Sequence, residues 1–80
     1  MGTALSFQYD RDGDILYIDK VPPYAEQESD EIGDNVIARF NPTSGEIENL
    51  EVLFFNQRAT RGEPLELPIA ADLRLAAQPK

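Results

Sequence analysis

Asp10, Asp12 and Asp14 place carboxylates at alternate positions around Gly13, in the stretch YDRDGDILYI. A calcium loop needs oxygen ligands at its positions 1, 3 and 5, glycine at 6 and a bidentate glutamate at 12. Counted from Asp10, the last two positions hold Ile15 and Val21, and the flanking residues read as strands instead of helices. The stretch is therefore expected to be a hairpin corner. Asp10 starts the turn and Gly13 takes the positive φ that closes it. No metal and no other cofactor is expected.

Other routes to catalysis are closed or poor. The chain has no histidine and no cysteine. That excludes a Ser-His-Asp arrangement for Ser6, Ser29 or Ser44, and it excludes thiolate zinc sites and disulfides. Tyr9, Tyr17 and Tyr24 have no neighbouring His or Lys to lower their pKa, so they are poor acid–base groups at neutral pH. Tyr9 and Tyr17 fall in strands and read as packing residues. No enzyme activity and no catalytic residue is expected.

The remaining candidates are charged surfaces for a protein partner. Fifteen acidic side chains face seven basic ones, a formal charge of −8. This balance disfavours nucleic acid, which needs clustered Lys and Arg, and it disfavours anionic membranes. It suits docking on a basic protein. Glu26, Glu28, Asp30 and Glu31 lie in the densest acidic run and form the candidate docking surface; the alternative is a solvated loop. Arg58 and Arg61 would lie on one side of a helical turn. They serve either as interface contacts or in plain ion pairs with Glu63 or the acidic run. No stretch approaches a membrane span and residues 1–9 lack the pattern of a signal peptide, so a cytoplasmic location is expected.

Eighty residues make a single small domain. Four strands are expected. Leu5, Phe7 and Tyr9 alternate with polar residues and read as a half-buried strand. Ile15 to Ile18 reads as a strand covered on both faces. Residues 21–34 open with Pro22-Pro23 and read as a long acidic connection, mobile in part. Val36, Ala38 and Phe40 mark the third strand, and NPTSGE the next turn, with Asn41 starting it and Gly45 left-handed. Leu50, Val52 and Phe54 share a face of the fourth strand. Ile47 is out of phase with them unless a bulge sits near Asn49. Glu46, Glu48 and Glu51 would then point to solvent. Asn56 to Arg61 reads as a helical turn closed by Gly62.

The expected fold is mainly β, α+β at most. It is a four-stranded antiparallel meander with a short helical turn and an apolar C-terminal segment. Pro64 and Pro68 frame Leu65, Leu67 and Ile69 as an extended stretch, and residues 70–77 fit helix or strand. Leu65, Leu67, Ile69, Leu73 and Leu75 need cover, at about 1.5–3 kcal/mol each when fully buried. The tail 63–80 packs on its own sheet or on a partner's; a chain this small favours the second, a homodimer.

FQYDRDGDILYI resembles the opening signature of a large prokaryotic family of uncharacterised small proteins, a domain of unknown function. The signature is an aromatic residue, Tyr-Asp, three spacers, Asp and Leu-Tyr-Ile, here Phe7, Tyr9, Asp10, Asp14, Leu16, Tyr17 and Ile18. DEIGDNVIARFNPTSGEIENLEVLFFNQR is similar to the family's middle portion. It departs at Asn49, where glycine is common, and at Asn41, where aspartate is common. The resemblance covers roughly residues 5–60. It implies no catalytic residues. For some members it implies an antitoxin role, which fits an acidic chain that binds a small basic toxin. The functional expectation is a non-catalytic protein-binding module, with a self-associating structural domain as the alternative.

Overall fold

The computed structural model describes residues 4–76. Five antiparallel strands form one open sheet among these residues: β1 (Ser6–Asp10), β2 (Ile15–Asp19), β3 (Glu28–Gly33), β4 (Val36–Phe40) and β5 (Ile47–Leu53). The helix α1 (Phe55–Thr60) comes directly after β5. The mainly β, antiparallel character is as expected. The strand order, β1-β2-β5-β4-β3, departs from a plain meander, and the acidic run supplies a fifth strand.

Both departures have a local cause. Pro22 and Pro23 prevent a hairpin directly after β2, so the chain crosses the end of the sheet to its far edge. There β3 pairs with β4 through a turn at Asp34 and Asn35, where Asn35 adopts a left-handed φ of 61°. β5 then returns between β4 and β2. Strands β2, β5, β4 and β3 thus form a Greek key read backwards along the chain. Edge strands tolerate charge because one backbone edge faces water. Residues 28–33 are therefore an ordered strand, and the expectation of a loop through 34 is corrected.

The core lies on one face of the sheet. Register places Leu16, Val52 and Val36 in one row and Ile18, Leu50 and Ala38 in the next. Val36, Ala38, Leu50, Val52 and Ile18 are buried. The expected bulge is present: Arg39 pairs with Asn49 but Phe40 with Ile47, leaving Glu48 as the extra residue. That shift brings Ile47 onto the core. Phe54 does not join the row; β5 ends at Leu53 and Phe54 sits left-handed, φ 56°, as the N-cap of α1. The helix closes at Gly62, φ 71°, as expected.

Leu65, Leu67 and Ile69 of the same chain pack on this core, together with Phe55. Gly33 allows close approach here, because a Cβ would stand 3.3 Å from Pro68 Cγ. Leu73 and Leu75 are 86% and 92% exposed, against the expectation that the whole apolar tail is covered. Residues 70–76 are neither helix nor strand; residue 77 of that segment lies outside the described residues. β1 is less covered than its alternation suggests. Phe7 is 61% exposed and Leu5 50%. The tail lies over the other strands, and the Tyr9 ring packs against Phe55, at 5.9 Å between ring centroids.

Candidate functional site

The β1–β2 corner is organised around Asp14. Its φ of 56° makes it the left-handed residue of the turn, in place of Gly13. A Cβ at Gly13 would stand close to the ends of two side chains, 3.1 Å from Asp10 Oδ2 and 3.3 Å from Ile15 Cδ1. Asp10 Oδ1 accepts the Asp12 N–H at 3.1 Å, an Asx turn. Asp14 Oδ1 accepts the Tyr9 hydroxyl at 2.5 Å and the Asn56 N–H at 2.8 Å. The Phe55 N–H donates to the Asp14 carbonyl at 3.2 Å. Asp14 thus caps α1 from a distant turn, supplying the side-chain acceptor that Phe54 lacks. The Tyr9 hydroxyl and the helix N–H groups hold its carboxyl below the usual aspartate range. The Tyr9 phenol is in turn raised, chiefly by that same bond. Asp14 therefore holds β1, β2 and α1 together, while Asp10 holds the turn itself. Among the described residues no group of three acidic side chains is placed to hold a metal ion.

The second polar cluster anchors the crossing segment 20–27. Glu48, set out of register by the bulge, accepts the Tyr24 hydroxyl at 2.7 Å, Gln27 Nε2 at 3.0 Å and Asn41 Nδ2 at 3.0 Å. These donors lower its pKa, and the bond to Glu48 pushes Tyr24 up to about 12. Asn49 is 2% exposed. Its Nδ2 donates to Asp19 Oδ1 at 2.8 Å and to the Val21 carbonyl at 2.6 Å, and its Oδ1 accepts from Gln27 at 2.6 Å. Glu51 is also drawn in, paired with Arg39 at 2.7 Å. Glu48 and Glu51 are thus half-buried partners of the sheet instead of solvent-facing charges. Sequence reading missed this cluster; the buried position of Asn49 was visible only as a break in the alternation.

The candidate docking residues fall in two places. Glu28, Asp30 and Glu31 lie exposed on β3, with Glu26 in the turn before it. Register puts Glu28 and Asp30 on the core side of the sheet, opposite Phe40 and Ala38, and Glu31 on the other side. Among the described residues β3 pairs only with β4, which leaves its outer backbone edge without a strand partner there. Arg58 lies on α1 and donates to the Asp34 carbonyl in the β3–β4 turn. Arg61 pairs with Glu63 at 3.4 Å. The two arginines are therefore engaged within the chain, Arg58 at the Asp34 end of the hairpin and Arg61 with Glu63. A separate surface groove of 660 Å³ runs beside the first corner, lined by Gln8, Asp10, Tyr17, Asp19 and Pro23 among others.

An open sheet with one covered face, whose polar side chains mostly hold its own turns, defines a small β-sheet domain. A family model described as "Protein of unknown function (DUF2283)" matches residues 6–56, well over half of the chain, and the chain belongs to that family. The match begins at the first residue of β1 and ends at Asn56, whose N–H is capped by Asp14. Neither the curated proteins nor the solved structures give a match. Among the described residues no helix is long and apolar enough to cross a membrane.

Proposed function

We propose that the chain is a non-catalytic protein-binding domain that presents β3 to a basic segment of a partner protein. The supporting observation is that the acidic run is an edge strand, with its outer backbone edge unpaired and Glu28, Asp30 and Glu31 exposed along it. An extended basic segment adds to this edge through main-chain hydrogen bonds while its Lys and Arg meet the carboxylates. A second acidic edge would be repelled, so the surface selects by charge. The specific form of this reading is an antitoxin-type neutraliser of a small basic toxin. A cytoplasmic location accords with it.

The test is co-expression with any small basic protein encoded beside this chain, with purification and native mass spectrometry of the product. A one-to-one complex is expected, weakened by added salt and lost in the Glu28→Lys/Asp30→Lys/Glu31→Lys variant. A complex that survives the charge reversal, or amide shifts on binding that avoid Gln27 to Gly33, sinks the reading.

A further inference from the structure

We propose that β1 is a self-association edge: two copies join β1 to β1 antiparallel about a two-fold axis, continuing each sheet into the other. Leu5, Phe7 and Tyr9 of one copy then meet the same row of the second. This edge is the opposite one from β3 and does not depend on the partner proposed there.

β1 is continuous with the core. Phe7 pairs with Ile18 and Tyr9 with Leu16, so the β1 row extends the core rows by one strand. Yet Phe7 is 61%, Leu5 50% and Tyr9 39% exposed, because Leu65, Leu67 and Ile69 cover the remainder of that face. A cleft of 180 Å³ between Leu5 and Ile69, floored by Ile18 and Leu50, marks where the cover stops.

The surface is also large for a monomer. The chain exposes 6206 Å², whereas a compact monomer of 9.0 kDa exposes about 4,900 Å². Its radius of gyration is 13.6 Å, against about 12 Å for a compact chain of 80 residues. The excess over that compact value is roughly 1,300 Å². The exposed residues 70–75 contribute to that excess alongside the β1 row.

Charge selects the second copy as occupant. Of the two sheet edges, β3 carries three carboxylates and repels its own kind. β1, SFQYD, carries Asp10 alone, at its turn end. An antiparallel two-fold pairing sends the two Asp10 residues to opposite ends of the seam, and apolar positions meet apolar ones. What opposes the dimer is the long-range repulsion of two −8 bodies, so salt strengthens it. A basic partner on β3 shows the reverse salt dependence.

Sedimentation equilibrium tests this directly. The expected result is a species of twice the 9.0 kDa chain mass at high micromolar concentration. Its dissociation constant should fall severalfold from about 0.05 M to about 1 M salt, where the screening length is roughly 3 Å. Phe7→Lys should give the monomer with an unchanged circular dichroism spectrum, and Glu28→Lys should leave the dimer intact. In the unmodified chain, hydrogen exchange of the Ser6–Asp10 amides should slow as concentration rises. A monomer at every salt and concentration overturns the proposal, as does β1 exchange that ignores concentration.

Discussion

Asn49 is the residue on which the crossing connection depends. A buried amide that leaves any of its hydrogen-bonding atoms unpaired is costly; this one uses both donors and its acceptor. Its partners Asp19, Val21 and Gln27 lie before, within and at the end of the segment that carries the chain from β2 to β3. Asn49→Ala would leave the Val21 carbonyl and the Gln27 amide without this partner. The expected loss is about 1–3 kcal/mol, a large part of the roughly 4–12 kcal/mol that stabilises a chain of this size. Urea unfolding monitored by circular dichroism measures it, and hydrogen exchange should quicken first in residues 20–27. An unchanged midpoint would mean that the segment is held by Tyr24 and Glu48 instead.

At the scale of elements, Tyr9 and Asp14 act as joints between them. The carboxylate of Asp14 holds the start of α1 against the β1–β2 hairpin. Its folded pKa lies below the ordinary value of 3.8, so its contribution is fully present above that pH. The contribution is lost as pH falls through the lower folded value. Acidification below pH 3.8 should therefore loosen α1, seen as a shift of the Asn56 amide proton in NMR spectra. Asp14→Asn keeps the left-handed backbone at low cost but removes the charge. In that variant the Asn56 shift should be displaced at neutral pH and flat across the acid range; an unaltered acid titration of Asn56 would contradict the capping role. The alternation of Val36, Ala38 and Phe40, the Asn41–Gly45 turn and the bulge beside Asn49 were all legible, because each stems from local backbone chemistry and a period of two. Asn41 Oδ1 does accept the Thr43 and Ser44 N–H groups, at 2.8 and 2.9 Å. The insertion of β5 between β2 and β4 was not legible, since pairing partners distant in sequence leave no local mark. β3 was hidden for a different reason. An edge strand need not show an apolar face, and its only cue was Gly33-Asp34-Asn35 ahead of Val36. The polar cluster at Glu48 was hidden because charged residues in a strand ordinarily read as solvent-facing.

For the whole molecule, the question is what makes a sheet with one apolar face stable in so short a chain. The family match stops at residue 56, yet the core has little cover without the extended segment beyond α1. Leu65, Leu67 and Ile69 are half-buried against it, and Gly33 lacks a side chain where Pro68 approaches. Full burial of three such side chains is worth about 1.5–3 kcal/mol each, so half-burial together contributes on the order of 2–5 kcal/mol. That is comparable to the net stability of a small domain, about 0.05–0.15 kcal/mol per residue. Leu65→Ser/Leu67→Ser/Ile69→Ser should therefore abolish or greatly broaden the cooperative thermal transition and expose the sheet to a hydrophobic dye. Leu73→Ser/Leu75→Ser alters side chains that are 86% and 92% exposed, and should leave the midpoint of dilute protein unchanged. The pair of variants separates burial from composition, since both replace apolar tail residues by the same polar one. If the two behave alike, the extended segment does not cover the sheet, and its stability must come from elsewhere.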